Sequence, residues 1–287
     1  MDVKLVNLSH LEDHVVVSSE NNNNDISKSE AGRLETSLFS KPVVEKVTYL
    51  RKINATFVPG AMTAIIGTGL SPNILLRHVA RRCYRGCGSG MVLLNGKKRE
   101  HGVYGDIVYM SGLDMDQVRH FDQLRIFDLL YYTAKLRTKI SDIDCRNKVR
   151  DIVRLINIDG TLKVELLSVL EVRLLTIAME LMGDPSLLCI ESPAHGIDSI
   201  GAMEIIRVIK AISERQNPAT TVICTLDGLC GSALVHINHY MILAKQQLAY
   251  SGVIDTEEKR EIISRIAIKI SAVDTQTYDG RGNGVDN

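Results

Sequence analysis

The stretch GTGLSPNILL, residues 67–76, lies between the apolar run MTAII and a segment with helical spacing. A glycine-rich loop that opens a helix can bind phosphate, because its backbone N–H groups and the positive end of the helix dipole face the anion. The phosphate-binding pattern GxxxxGK[ST] also supplies a lysine for the β- and γ-phosphates and a hydroxyl for magnesium. This stretch contains no lysine, so it has the position of a phosphate-binding loop without its cation.

The loop also differs from that pattern in length and at the magnesium position. When it is aligned on Leu75 and Leu76, it is one residue short, with Pro72 at the lysine position and Asn73 at the hydroxyl position. Pro72 is tolerated in the first turn of a helix, but it has no N–H to offer a phosphate. The candidate nucleotide-binding residues of this degenerate loop are Gly67, Thr68, Gly69, Ser71, Pro72, Asn73 and Ile74.

The elements that hold this loop follow from the hydrophobic pattern. From Lys41 onward, short β-rich runs are separated by turns, and the region of about 116–182 recurs with helical spacing. The chain then alternates between strands and helices, which predicts a parallel sheet. The near-continuous apolar runs LLCI and TVICTL indicate strands that are buried on both faces.

Three segments are expected along the chain. Residues 1–40 contain the tract SSENNNND and are interpreted as a flexible polar leader or a long surface loop. Residues 41–255 form the folded domain, with its helical part at about 116–182, and residues 256–287 form a C-terminal extension.

Composition excludes several classes of function. The chain has 287 residues, 45% of them hydrophobic, and a formal net charge of zero, so nucleic acid is disfavoured as a partner. No run approaches the roughly 18 apolar residues of a membrane-spanning helix, so we expect a cytoplasmic chain. Cys189 and Cys224 fall in strand-like runs, as reduced core thiols do. The pair in CYRGC lacks a second pair or a histidine cluster, and the histidines show no ligand spacing, so no metal ion is expected.

A longer succession of motifs carries a family resemblance. In order and spacing, INATFVPGAMTAIIG, LLSVLEVRLLTIAMELMGDPSLLCIESPAHGID, TTVICTL and ILAKQQLAYSG resemble the ATP-binding domain of ABC transporters, in particular the White or G subfamily. The resemblance covers about residues 41–254. It implies an α/β P-loop NTPase (RecA-like) core with an N-terminal antiparallel β subdomain and an inserted α-helical subdomain. It also implies ATP and magnesium as ligands, a second ATP-binding domain as partner in a homo- or heterodimer, and a membrane subunit.

The catalytic motifs of that family are altered here. The Walker B strand ends in LLCIES, so Glu191 takes the magnesium position and Ser192 the position of the general base, although a serine hydroxyl cannot accept a proton near neutral pH. Gly112 replaces a glutamine that contacts magnesium and water, and Asp227 replaces a histidine that contacts the γ-phosphate. The missing lysine and the added aspartate make the pocket more negative by about two charges, each worth roughly 1–3 kcal/mol against a triphosphate.

The signature motif, which the resemblance places against the partner's γ-phosphate, is altered as well. Where the family has LSGGE, this chain has LSVLE, whose last four residues are Ser168, Val169, Leu170 and Glu171. Bulky side chains in place of two glycines obstruct close backbone approach to a phosphate, although Ser168 can still cap its helix. The D-loop keeps its glycine and aspartate, Gly196 and Asp198.

Three hypotheses about function follow. The first is a pseudo-ATPase: a non-hydrolysing subunit or interaction module with no catalytic residue and weak or absent affinity for ATP and magnesium. The second is an ATP-binding and hydrolysing subunit that energises transport, with Glu191 as metal ligand. The third is a truncated, decaying half-transporter, because G-subfamily half-transporters continue into a membrane domain after YSG. In the transporter hypotheses the chain lies on the cytosolic face of a membrane, against a separate membrane subunit. The basic run RHVARRCYR is interpreted as a solvated helix face.

Overall fold

Two β-sheets enclose the helix that follows the glycine loop. The computed structural model describes residues 1–16, 43–83, 86–98, 106–112, 117–216, 219–226, 236–237 and 239–253, with scattered positions between 256 and 269. The first sheet has the order β2-β1-β4-β5 and is antiparallel. Its strands are β1 (Val3–Val16), β2 (Val43–Phe57), β4 (Cys87–Leu94) and β5 (Lys97–Lys98).

The first strand corrects the expectation for residues 1–40. Residues 3–16 are not a flexible leader, because they form β1 and pair with both β2 and β4. The physical reason is the apolar pattern of VKLVNL. Val3 and Leu5 alternate across the strand and are 0% and 1% exposed, and a register shift between Leu5 and Leu8 brings Leu8 into the core as well, at 3% exposure. The low-complexity tract lies outside the described residues.

The second sheet has the order β10-β9-β3-β8-β7-β6. Its strands are β3 (Met62–Gly67), β6 (Ile107–Met110), β7 (Leu187–Ile190), β8 (Thr221–Thr225), β9 (His239–Ala244) and β10 (Gln247–Val253). Every pair in it is parallel except β9 with β10. All residues of β7 and β8 are buried, which confirms that these apolar runs are covered on both faces.

Helices cover the second sheet and connect its strands. They are α1 (Ser71–Ala80), α2 (Ile126–Arg137), α3 (Asp142–Ile156), α4 (Val169–Leu181) and α5 (Ser199–Glu214). The stretch from β6 to β7 contains α2, α3, α4 and two short 3-10 helices at Gln117–Phe121 and Val164–Leu166. α3 begins after Ser141, whose side chain accepts a hydrogen bond from the Asp144 N–H at 3.2 Å.

The core is divided by the second sheet. On one side, α1 packs against both sheets, with Ile74, Leu75, Leu76 and Val79 buried among residues of β1, β2 and β3. On the other side, α2 to α5 share a larger apolar cluster with the opposite face of the sheet. Among the residues that the structure describes, no helix is long and apolar enough to cross a bilayer.

Candidate nucleotide-binding site

Parallel strands bring the predicted site residues to one edge of the second sheet. β3 ends at Gly67, Gly112 follows β6, and Glu191 and Ser192 follow β7 directly. Because the carboxyl ends of parallel strands meet at the same edge, residues far apart in sequence become neighbours there. Asp227, two residues after β8, lies outside the described residues.

The glycine loop is shaped by close packing at its first residue. A Cβ built on Gly67 would lie 2.9 Å from Leu243 Cβ and 3.1 Å from Pro72 Cγ, so only glycine fits without a shift. Gly69 has a φ of +58°, in the left-handed region that favours glycine. α1 then begins with Ser71 and Pro72, and the Ile74 N–H donates to the Leu70 carbonyl oxygen at 2.9 Å.

The loop offers little to an anion. Residues 67–76 contain no cationic side chain, and Pro72 has no N–H. Asn73 lies in the first turn of α1, and its Oδ1 is buried with no hydrogen-bond partner. A carbonyl oxygen is an acceptor only, so it cannot donate to a phosphate oxygen. Thr68 is the remaining loop residue with a hydroxyl besides Ser71, which is buried.

Glu191 is held by an arginine from the helix that the loop opens. Arg77 Nε donates to Glu191 Oε1 at 2.8 Å, and Arg77 Nη2 donates to Oε2 at 3.3 Å. The Glu191 side chain is 5% exposed and that of Arg77 is 40% exposed. Arg77 Nε also lies 3.0 Å from the Tyr109 hydroxyl oxygen of β6. The carboxylate that follows β7 is therefore buried and engaged on both oxygens.

This cluster keeps Arg77 charged and Tyr109 neutral. Hydrogen bonding to Glu191 raises the pKa of the Arg77 guanidinium above its usual value, with burial opposing the effect. Burial raises the pKa of the Tyr109 hydroxyl, and its hydrogen bond to Glu191 adds to the effect. At neutral pH Arg77 is thus a charged guanidinium and Tyr109 a neutral phenol.

The interpretation of RHVARRCYR as a solvated face is wrong for Arg77. Its stem lies on α1, but its head group reaches the end of β7, 114 residues away in sequence. The sequence offered no local signal for this pair, because helical spacing alone places Arg77 among three other arginines. Tyr109 was missed for the same reason.

Ser192 occupies a strained backbone position. Its φ is +43°, which is uncommon for a residue with a Cβ. Its N–H donates to Thr225 Oγ1 at 3.0 Å, and its hydroxyl oxygen lies 3.4 Å from the same atom. Two hydroxyl groups therefore meet where the resemblance places a general base, and neither can accept a proton from water at neutral pH.

Gly112 lies directly beside the end of β7. A Cβ built on it would be 3.5 Å from the Glu191 carbonyl oxygen, which is an ordinary contact. The neighbouring Glu191 N–H donates to the Met110 carbonyl oxygen at 2.9 Å. There is thus room for a larger side chain at residue 112, and the glycine itself places no polar side chain there.

The signature segment forms a regular helix start. Ser168 Oγ accepts from the Glu171 N–H at 3.3 Å, and Glu171 Oε2 accepts from the Ser168 N–H at 2.8 Å. This capping box confirms the predicted cap. Val169 is 48% exposed, and Leu170 packs against the large core. The Glu171 carboxylate therefore sits at the positive end of α4, where a phosphate would otherwise be stabilised.

The D-loop leads from the site into α5. Gly196 has a φ of +72°, and the Ile197 N–H donates to the Ala194 carbonyl oxygen at 3.2 Å. Asp198 is the residue at which α5 begins, and its side chain makes no cap hydrogen bond. A Cβ built on Gly201 would lie 3.6 Å from a methyl group of Leu170, so the starts of α4 and α5 are in contact.

Solved structures with this arrangement are ATP-binding cassettes. CbiO1 from Clostridium perfringens, part of the ABC transporter complex cbiONQ, has a TM-score of 0.65 at 14% identity and covers 96% of this chain and 98% of its own. A dimeric cassette in a post-hydrolysis state, bound to ADP and Pi, has a TM-score of 0.60 at 14% identity over 88% and 99%. These likenesses establish the P-loop NTPase fold.

Sequence relatives narrow the family. ABC transporter G family member 2 of Dictyostelium discoideum is 26% identical over 215 residues, and member 49 of Oryza sativa subsp. japonica is 29% identical over 219 residues. The chain is an ABC-type ATP-binding domain related to the G family. The matches cover 70% and 72% of this cassette but only 15% and 14% of those two proteins. No protein-family model matches the chain.

Proposed function

We propose that this cassette is a pseudo-ATPase, a domain that does not hydrolyse ATP and serves as a non-hydrolysing subunit or interaction module. The observation that carries the proposal is the ion pair between Arg77 and Glu191. By resemblance, Glu191 stands at the magnesium-binding position of the Walker B strand. In this chain the cation paired with the Glu191 carboxylate is the guanidinium of Arg77, which lies on α1.

The Glu191 site does not fit magnesium. Mg²⁺ takes oxygen ligands at about 2.0–2.1 Å in a near-octahedral arrangement. Arg77 engages both oxygens of Glu191, at 2.8 and 3.3 Å, so the metal would have to displace it. A guanidinium held about 4 Å from Mg²⁺ would repel it by roughly 2–8 kcal/mol, depending on solvent screening. The geometry therefore supports weak or absent magnesium binding.

At the general-base position, the described side chains include no group that could take a proton from water. Ser192 has its N–H bonded to Thr225 and its hydroxyl beside the Thr225 hydroxyl. Attack on a γ-phosphate needs a nucleophile oriented or deprotonated by a neighbouring group. Two alcohols can hold a water but cannot take its proton, which supports the loss of hydrolysis.

Nucleotide affinity should be weak for a separate reason. The loop lacks the lysine that meets the β- and γ-phosphates, and Pro72 replaces an N–H donor. The hydrolysing alternative has one observation in its favour, the unpaired Asn73 Oδ1, because an amide oxygen at the hydroxyl position could ligate magnesium. The experiment below decides between the two.

The proposal also includes the protein partners of this domain. The relatives are named ABC transporters, and one structural neighbour is a dimeric cassette. We therefore infer that this domain pairs with a second cassette and contacts a separate membrane subunit on the cytosolic face of a membrane. Because it spans 14 to 15% of the two relatives named above, the transported substrate is not inferred.

The test measures MgATP binding to the purified chain by calorimetry and thermal unfolding. The wild type is compared with a Pro72→Lys, Asn73→Ser double variant, which restores the cation and the hydroxyl. Leu136→Lys is the matched control, because it adds the same charge at a side chain that is 89% exposed on α2. Adding Arg77→Met to the double variant releases Glu191 and should make binding more dependent on magnesium.

We expect no saturable heat and no stabilisation of the wild type or of the control at millimolar nucleotide. A ligand at 100 times its Kd stabilises a fold by about 2.7 kcal/mol, which is about 5–10 °C for a domain of this size. Micromolar binding by the wild type would contradict the proposal, and phosphate release above background would establish the hydrolysing alternative.

A further inference from the structure

Three metal-ligating side chains from distant parts of the chain meet beside α1. His10 lies on β1, His78 on α1, and Cys83 three residues after the helix ends. His78 Nε2 is 2.9 Å from His10 Nδ1, and Cys83 Sγ is 3.9 Å from the same atom. The three ligand atoms all lie within 4.8 Å of one another. In a tetrahedral zinc site, bonds of about 2.0–2.3 Å hold such atoms roughly 3.3–3.6 Å apart, so small adjustments would admit the ion.

A carboxylate fixes which nitrogen of His10 faces the cluster. His10 Nε2 lies 3.0 Å from Glu12 Oε1, in the arrangement where the ring donates its proton to the carboxylate. The lone pair of Nδ1 then points at His78 and Cys83. Zinc-binding histidines are commonly oriented by a carboxylate on the other ring nitrogen, which also makes them better ligands.

The backbone of β4 leaves space for both imidazole rings. A Cβ built on Gly88 would lie 2.6 Å from His78 Cε1, and one built on Gly86 would lie 2.8 Å from His10 Cε1. Both distances are shorter than real side chains allow, so the rings occupy space that only glycines leave open. His10 is 1% exposed, so its ring is shielded from solvent where β1 meets α1.

We propose that His10, His78 and Cys83 form a zinc site that ties the first β-sheet to α1. Two imidazole nitrogens and one thiolate are a ligand set suited to Zn²⁺, with water in the fourth position. On binding, the Cys83 thiol releases its proton to solvent, and the proton between the two imidazoles moves to the far nitrogen of His78. The site is independent of the proposed pseudo-ATPase function, because it lies at the end of α1 opposite the glycine loop.

No spacing of ligands along the chain indicates this cluster. The thiol next to Cys83 in sequence is that of Cys87, four residues further on, which is exposed on β4. The partners of Cys83 are His10, 73 residues earlier, and His78, which itself contacts His10 across 68 residues. Such spacings match no zinc motif, so only the packing of α1 against β1 reveals the group.

The test uses the full chain, stripped of metal and titrated with Zn²⁺ against a chromophoric chelator. Cobalt(II) is the spectroscopic probe, because a thiolate ligand gives a near-ultraviolet charge-transfer band. Cys83→Ser removes the thiolate, and Cys87→Ser is the matched control, removing an exposed thiol nearby. We expect one equivalent of zinc and the cobalt band for the wild type and the control. We expect at least a 100-fold loss of affinity for Cys83→Ser and a 10- to 100-fold loss for Glu12→Gln.

Three results would overturn the proposal. One is wild-type protein that takes up no stoichiometric zinc at micromolar concentration, and another is equal affinity in the two serine variants. The third is uptake of copper alone. If Cys83→Ser does not fold, as judged by circular dichroism, the cobalt spectra of the wild type and of Cys87→Ser decide: a band in both supports the site, and no band refutes it.

Discussion

Breaking the ion pair between Arg77 and Glu191 should destabilise the fold asymmetrically. Arg77→Met leaves a carboxylate that is 5% exposed beside the Tyr109 hydroxyl. Glu191→Gln leaves a guanidinium on a side chain that is 40% exposed, which can turn towards water or bond to the amide oxygen. An unpaired buried charge costs more free energy than an unpaired solvated one, so Arg77→Met should be less stable to unfolding than Glu191→Gln.

The magnitude follows from the distance and the exposure. At 2.8 Å, opposite unit charges attract by about 6 kcal/mol at an effective dielectric of about 20, and by about 1.5 kcal/mol in water. Solvent reaches Arg77, and Glu191 has lost its hydration, so the net value lies well below the larger figure. We expect a coupling energy of about 1–3 kcal/mol, with single-variant losses of about 2–4 kcal/mol for Arg77→Met and 1–2 kcal/mol for Glu191→Gln.

The assay is a double-mutant cycle measured by urea unfolding, with the wild type, both single variants and the double variant. The Arg207–Glu204 pair on α5 serves as control, because it has similarly short contacts of 2.5 and 2.9 Å but side chains that are 58% and 30% exposed. Its coupling should not differ from zero within error. Equal coupling energies in the two pairs, or a lower unfolding free energy for Glu191→Gln than for Arg77→Met, would refute the reasoning from burial.

Two further predictions concern helix capping and thiol chemistry. Ser168→Ala should cost about 0.5–2 kcal/mol in urea unfolding, because it removes the cap of α4, whereas Ser168→Thr should restore most of the loss; equal losses would contradict a capping role. Burial raises the pKa of the Cys224 thiol to about 12, so iodoacetamide should leave it unmodified in the folded chain while exposed Cys87 reacts. Peptide mapping before and after unfolding measures which thiol is modified, and modification of Cys224 before Cys87 would contradict the prediction.

Much of the fold could be predicted from local pattern. The continuous apolar runs of β7 and β8 required burial on both faces, and the structure buries every residue of both. The predicted cap at Ser168 forms, because a cap needs only neighbouring residues. β1 was missed, since the polar tract that follows it dominated the composition of the first 40 residues and hid the short apolar segment VKLVNL.

Some features of the candidate site likewise follow from the sequence, and others depend on the packing. The sequence by itself determined which groups are absent: a lysine in residues 67–76, an acid at residue 192 and glycines at residues 169 and 170. Those are facts of composition at fixed positions, and no packing can supply the missing groups. The positions of the motifs along the strands also follow from sequence order.

Only the tertiary structure decided what the remaining groups do. Arg77 reaches Glu191 across 114 residues, and His10 reaches His78 across 68, because the order of strands in each sheet and the packing of α1 between the sheets set those distances. Local sequence encodes helix, strand and cap through interactions within a few residues. Contacts between elements depend on how every element packs at once, so the ion pair and the histidine–cysteine cluster became visible only in three dimensions.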